Sequence, residues 1–237
     1  MLHDCNQKTI NVIKIGNLDT TTAYRVLLMA NQVQKAFHFE YIPEIELTLE
    51  QKYKLPNGGF NISAALKKQL KLSRYKNIPR PIIALTSDPL GEIEHANDKD
   101  WFFFSSQEDD WDKSVTIIST QPLSALPKHR TLENYLFMMF STYIFSYYAD
   151  MAFHNETREC FLDYCDELSD AEKSLQAGKL CFECEQVLQK RLRTNKISIE
   201  QVSAAIRLMN QAVNRKYCFT VMPFNKMFDK VYNAIKE

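Results

Sequence analysis

Four cysteines in the second half of the chain have a spacing that could bind a metal ion. Cys160, Cys165, Cys181 and Cys184 form the pattern C-x4-C-x15-C-x2-C in a chain of 237 residues. Two close pairs of thiolates separated by a loop can fold onto one tetrahedral Zn2+. We therefore predict that these four residues hold one structural zinc ion.

Two disulfides, or ordinary buried thiols, are the alternatives to a zinc site. Disulfides persist in oxidising compartments, and secreted chains open with an apolar signal segment. This chain instead opens with Met1, Leu2, His3, Asp4 and Cys5 and continues into polar residues. We therefore expect a cytoplasmic protein whose cysteines are reduced.

The charge distribution argues against several kinds of partner. Lys+Arg and Asp+Glu both number 29, so no net field attracts the chain to nucleic acid or to an anionic membrane. The segment from Phe161 to Leu180 is acidic, with five acids against Lys173 and Lys179: Asp163, Asp166, Glu167, Asp170 and Glu172. A surface that contacts phosphates needs the opposite sign. A protein partner or self-association is expected instead.

Alternating and helical patterns follow one another along the chain. The expected strands span residues 9–15, 39–43, 82–86, 101–105, 115–119 and 217–222, and the expected helices span 20–37, 62–72, 184–193 and 198–215, with a long helix from Thr131. This alternation predicts an α/β protein with a mixed sheet and packed helices. With only 5 glycines, the chain lacks a phosphate-binding glycine-rich loop, and we expect no cofactor besides zinc.

The body of the long helix, residues 135–149, is apolar on nearly every side. A membrane span is one interpretation, but such a span needs about 20 apolar residues. Hydroxyl side chains occur throughout the run, and Glu133 and Asp150 flank it. We predict a buried central helix and no membrane contact.

A buried helix that leads into C-x4-C and then C-x2-C resembles the archaemetzincin family of zinc peptidases. The signature of that family joins a catalytic H-E-x-x-H-x-x-G-x-x-H helix to a structural site, C-x4-C-x-M followed by C-x2-C. The resemblance implies a zincin-like fold in which the central helix leads into a zinc loop with four cysteines. Here Met is absent two residues after Cys165, and the spacer before Cys181 is shorter.

The catalytic half of this signature is missing. When Cys160 is aligned with the first cysteine, Ala149, Phe153 and Glu159 occupy the positions of the three histidine ligands. Asp150 replaces the general-base glutamate, and Glu156 replaces the glycine. Ala and Phe cannot coordinate a metal, so an open catalytic zinc site cannot be assembled in this way.

His154 keeps a catalytic alternative open. With Glu156 and Asp150 it could form a rearranged metallopeptidase site, and with Glu156, Glu159 or His129 a shifted metal site. The spacing does not reproduce the i, i+4 face that H-E-x-x-H supplies. His154 could instead cap the helix end or replace a cysteine ligand of the zinc ion.

The C-terminal residues carry a second resemblance. The segment Phe219-Thr220-Val221-Met222-Pro223-Phe224, with residues 228–236 after it, resembles the first strand and helix of nucleoside 2-deoxyribosyltransferase-like domains, which are close in fold to TIR-type domains. One strand and one helix are far below domain size, so we expect either a truncated chain or a unit that packs on the first domain.

These observations predict three regions and a regulatory function. The regions are 1–195, a degenerate archaemetzincin-like zinc-binding domain; 196–216, a connecting helix; and 217–237, the start of an effector domain. The expected function is a non-catalytic sensor or assembly module of a nucleotide-processing effector, of the kind found in prokaryotic antiviral defence. The alternatives are a metallopeptidase with a rearranged site and the regulatory half of a nucleoside or NAD glycosyl hydrolase.

Overall fold

The computed structural model describes residues 7–16, 18–47, 50–61, 78–94, 96–97, 105–106, 114–121, 131–164 and 168–213. The chain divides into two compact units. The helical unit comprises Met1–Lys8, Met29–His38 and Pro127–Glu237, and the sheet unit comprises Thr9–Leu28 and Phe39–Leu126. Cys160, Cys181 and Cys184 belong to the helical unit.

The strands and helices follow in this order: β1 (Lys8–Ile15), α1 (Thr20–Val33), β2 (Phe37–Leu47), a 3-10 turn (Gln51–Tyr53), β3 (Phe60–Asn61), β4 (Ile82–Thr86), β5 (Leu90–Gly91), β6 (Ser105–Ser106), β7 (Val115–Ser119), α2 (Leu132–Ala149), α3 (Leu168–Ala177), α4 (Phe182–Arg193) and α5 (Ile199–Ala212). Strands and helices are mixed along the chain, which confirms the predicted α/β class.

The sheet unit is built on five strands in the order β2-β1-β4-β7-β6. β1 pairs parallel with β4 and β4 pairs parallel with β7, whereas β6 runs antiparallel to β7. All five residues of β4 and all five of β7 are buried. Runs of buried β-branched residues are typical of parallel strands that are covered on both faces. Side chains of β1, β4 and β7 form a core that includes Ile13, Ile82, Ala84 and Ile117.

The helical unit is organised around α2, the predicted central helix. Thr131 caps its start, and the Thr131 and Asn134 side chains form a capping box. Most of its residues are buried, and it packs against α5 and α3. The hydroxyl of Ser141 donates a hydrogen bond of 2.9 Å to the carbonyl of Ala205 in α5. Among the described helices, none is long and apolar enough to cross a membrane.

Several predicted boundaries hold, and others need correction: β2 spans Phe37–Leu47 rather than 39–43, and α5 ends at Ala212 rather than 215. The strands at 82–86 and 115–119 are confirmed, as is the helix start at 198, where Ser198 and Gln201 form a capping box that opens α5. Helix α1 ends at Val33 rather than Phe37. The buried Gln34 amide explains this, because it donates to the carbonyls of Ala30 and Phe37 and accepts from the Phe37 N–H, which turns the chain into β2.

The sequence patterns did not predict helix α3, which lies between the two cysteine pairs. The predicted helix at 62–72, most of the predicted strand at 101–105 and the predicted strand at 217–222 lie outside the described residues. The proposed start of an effector domain, residues 217–237, lies outside them as well.

Candidate metal centre

Four side chains of the helical unit converge on one point. The donor atoms of His154, Cys160, Cys181 and Cys184 all lie within 4.8 Å of one another. The Nε2 atom of His154 is 3.2 Å from the sulfur of Cys181 and 3.1 Å from the sulfur of Cys184. The sulfurs of Cys160 and Cys184 are 3.8 Å apart. Within the described part of the chain, this is the one such group of ligand-type side chains.

These distances fit a tetrahedral zinc ion. Zn–S bonds of about 2.3 Å at tetrahedral angles place two sulfurs about 3.8 Å apart, and a Zn–N bond of about 2.0 Å gives an N to S distance of about 3.5 Å. The sulfur pair matches the first value, and the His154 distances lie slightly inside the second. Three thiolates and one imidazole are also one of the common donor sets of structural zinc. The residues present therefore fit one Zn2+.

A tight loop after α2 presents His154 and Cys160. The N–H of His154 donates to the carbonyl of Leu162 at 2.8 Å, and the N–H of Tyr164 donates to the carbonyl of His154 at 2.9 Å. These two bonds fold the segment from His154 to Tyr164 back on itself. The N–H groups of Leu162 and Cys181 point at the Cys160 sulfur, at 3.4 and 3.3 Å.

The start of helix α4 presents the other two cysteines. Cys181 is the N-cap residue of α4, and Cys184 lies in its first turn and is buried. Residues three apart at a helix start face the same side, which explains why C-x2-C brings both sulfurs to one point. The positive end of the helix dipole also favours the thiolate forms that bind metal.

In the absence of metal, the hydrogen bonds of the site favour the thiolate form of Cys160 and the thiol form of Cys184. The hydrogen bond between the Cys160 and Cys184 sulfurs lowers the pKa of Cys160 to about 5, with help from the N–H groups of Leu162 and Cys181. The same hydrogen bond, together with burial, raises the pKa of Cys184. Cys160 is therefore a thiolate at neutral pH, and a bound cation would neutralise the negative charge that accumulates here.

The structure describes three of the four cysteines that the sequence predicted as zinc ligands. Cys160, Cys181 and Cys184 come together and are free thiols, without a disulfide between them. Cys165 lies outside the described residues. His154, which the sequence allowed as a replacement for a cysteine ligand, occupies the fourth position of the observed group.

The structure does not bring His154, Glu156 and Asp150 together as a rearranged catalytic site. The Asp150 carboxylate is 2.9 Å from Arg191 and 3.7 Å from Lys196. Glu156 is exposed and lies 3.8 Å from Arg158. His154 alone joins the cysteines. His129, the more distant partner considered from the sequence, lies outside the described residues.

The segment aligned with the catalytic helix is not helical beyond its first residue. Helix α2 ends at Ala149, and Asp150 adopts the left-handed conformation with φ 51°. Ala149 and Phe153, which occupy the first two histidine positions, therefore do not share a helix face. Glu159, at the third position, is exposed and also left-handed, with φ 57°.

Comparisons with known proteins identify the fold. No family model and no curated protein matches the chain. The crystal structure of archaemetzincin from Methanopyrus kandleri is 13% identical, with a TM-score of 0.55 over 81% of this chain and 99% of that chain. A zinc-dependent peptidase from Methanocorpusculum labreanum (11% identical, 76% of this chain, 99% of that chain, TM-score 0.49) and archaemetzincin from Archaeoglobus fulgidus (12%, 75%, 99%, 0.46) are less similar. The similarity to the Methanopyrus kandleri structure establishes an archaemetzincin-type fold. At 13% identity it establishes the fold and not the function.

Proposed function

We propose that this chain is a non-catalytic module, stabilised by one zinc ion, that regulates or assembles a nucleotide-processing effector. The observation that carries the first half of this proposal is the closed donor set of His154, Cys160, Cys181 and Cys184. Catalytic zinc sites use three protein ligands and keep one position for water, whereas structural sites have four. Four protein ligands leave no position at which water could be activated.

The end of helix α2 also supports a role without peptidase chemistry. A zincin needs two histidines one helical turn apart and a glutamate that acts as general base. Here the helix stops at Ala149, and the carboxylate of Asp150 is engaged by Arg191. That ion pair holds the end of α2 against α4 and so contributes to packing.

When bound, zinc would supply folding energy here. Its ligands are spread over a loop and a helix start, His154 and Cys160 on the one and Cys181 and Cys184 on the other. An ion that binds all four only in the folded state stabilises that state by its binding free energy. The zinc site would therefore hold the segment from His154 to α4 in one conformation.

The second half of the proposal rests on the sequence after α5. The segment from Phe219 to Phe224 resembles the first strand of nucleoside 2-deoxyribosyltransferase-like domains. We propose that the zinc module acts on such an effector through protein contacts, or through self-association, in a cytoplasmic antiviral role. The acidic residues between the cysteine pairs suit a protein partner better than nucleic acid.

A peptidase assay with a chelator arm tests the non-catalytic role. The purified, zinc-loaded chain is incubated with a mixed peptide library, with and without chelator, beside a His154→Ala variant. We expect no cleavage that depends on zinc. Cleavage that chelator abolishes and that His154→Ala removes would overturn the proposal in favour of the rearranged metallopeptidase.

A nucleotide assay tests the effector half separately. The present chain should leave nucleosides and NAD intact, and a chain that continues past Glu237 should cleave a glycosidic bond. If the extended chain carries no such activity, the effector half fails while the zinc module stands.

A further inference from the structure

We propose that Asp163 is the positioning residue of the zinc centre, setting the loop that presents His154 and Cys160 through the hydrogen bonds its carboxylate accepts. This inference rests on the proposed zinc site and goes beyond its ligands. Asp163 is only 4% exposed, although aspartate is seldom buried without a specific partner. It lies between the two ligand-bearing segments in sequence and is not itself in the donor group.

The contacts of Asp163 explain its burial. One oxygen, Oδ2, accepts hydrogen bonds from the backbone N–H of Arg158 at 2.8 Å and from the backbone N–H of Cys160 at 2.9 Å. The N–H of Asp163 in turn donates to the carbonyl of Cys160 at 3.1 Å. Side chain and backbone of one residue therefore fix the conformation of the chain on both sides of the Cys160 ligand.

Asp163 also lies opposite His154 in this loop. The backbones of His154 and Asp163 form an isolated parallel bridge, flanked by the hydrogen bonds that His154 makes to Leu162 and Tyr164. The loop between them contains Glu159 in the left-handed conformation. This backbone conformation is unfavourable for residues other than glycine. Hydrogen bonds to a carboxylate are among the strongest available to hold such a turn.

The hydrogen bonds to Asp163 affect metal binding by setting the positions of the ligands. A zinc ligand must lie within a fraction of an ångström of its position, and the groups that orient the ligands contribute strongly to affinity. If the Arg158 and Cys160 N–H groups lost their acceptor, the segment from Arg158 to Cys160 would rearrange and the Cys160 sulfur would leave its place beside Cys184. The structure thus assigns Asp163 the role of setting the distance between two ligands that it does not itself supply.

Three variants of the full chain test this assignment by zinc competition against a chromophoric chelator. We expect Asp163→Ala to weaken zinc binding by about 10- to 100-fold. Asp163→Asn should stay within about threefold of the wild type, because its amide oxygen can still accept both N–H groups. Glu156→Ala, which removes an exposed carboxylate from the same loop, should bind zinc like the wild type.

Cobalt substitution supplies a readout that simple destabilisation would not move. The absorption bands of Co2+ report the geometry and identity of its ligands, so Asp163→Ala should shift them while Asp163→Asn should leave them unchanged. Wild-type affinity in Asp163→Ala would overturn the assignment. If Asp163→Ala does not fold, Asp163→Asn decides: retained affinity and spectrum support the acceptor role, and a loss of both overturns it. The proposed zinc site itself fails only if the wild type binds no zinc.

Discussion

The imidazole Nε2 of His154 lies 3.1 Å from the sulfur of Cys184, a residue 30 positions further along the chain. The intervening chain contains the second cysteine of the sequence pattern and the whole of helix α3. This approach defines the metal centre as a group of three cysteines and one histidine.

Replacing Cys184 with serine should remove the metal and destabilise the helical unit. A hydroxyl is a poor ligand for Zn2+, and the binding free energy of a structural ion is part of the folding free energy. We expect the midpoint of thermal unfolding to fall by on the order of 10 °C, with zinc content near zero by elemental mass spectrometry. Chelator treatment of the wild type should reproduce this midpoint. A variant that keeps a full equivalent of zinc would contradict the assignment of Cys184.

His154 and Cys165 can be distinguished by paired variants. A tetrahedral zinc ion takes four ligands, and the observed group already has four with His154 included. We therefore expect His154→Ala to lose most of its zinc affinity and Cys165→Ser to retain it, measured by competition with a chelator. The reverse pattern would restore the four-cysteine set predicted from the sequence.

Arg191 should stabilise the chain without affecting zinc. Its guanidinium donates to both the carbonyl and the carboxylate of Asp150, at 3.1 and 2.9 Å. Removing charge-assisted bonds of this kind from a partly buried residue costs about 1–2 kcal/mol. Arg191→Ala should lose about that much in urea unfolding, while Arg193→Ala, on the exposed side of the same turn, should lose little. Equal stability of the two variants would show that the Asp150 contact is unimportant.

The start of helix α1 should be sensitive to acid. Hydrogen bonds from the Thr22 hydroxyl and the Thr21 N–H lower the pKa of Asp19. A carboxyl whose pKa is lower in the folded state stabilises that state above its unfolded pKa of about 3.9, and this contribution is lost as the pH falls through the folded value. Asp19→Ala should therefore be less stable than the wild type at pH 6, and the difference should shrink at pH 3. The same difference at both pH values would contradict this role for Asp19.

Local patterns along the chain predicted much of the fold. The apolar runs of β4 and β7 and the helix starts predicted at residues 131 and 198 depend on short-range features, and the structure confirms them. The end of α1 was wrong because it depends on the side chain of Gln34, whose hydrogen bonds compete with one more helical turn. Helix α3 is short and polar, and its pattern was not recognised.

The sequence predicted only part of the candidate site, because only some of its residues follow a local pattern. The C-x2-C spacing of Cys181 and Cys184 is enough to predict that their sulfurs lie close together, because both residues lie at the start of one helix. His154 lies in an irregular loop, so its approach to Cys184 depends on a backbone pairing that no periodic pattern encodes. The role of Asp163 depends on the same loop. Only the position of His154, six residues before Cys160, gave a signal, and it was consistent with several roles.

The most direct test of a closed Cys3His site is the X-ray absorption fine structure of zinc in the purified chain, with the zinc content measured on the same sample. We predict one zinc ion per chain with three sulfur ligands at about 2.3 Å and one nitrogen ligand at about 2.0 Å. A shell with a water oxygen and fewer sulfurs would indicate an open, catalytic type of site and contradict the proposal. Four sulfurs would exclude His154 from the site.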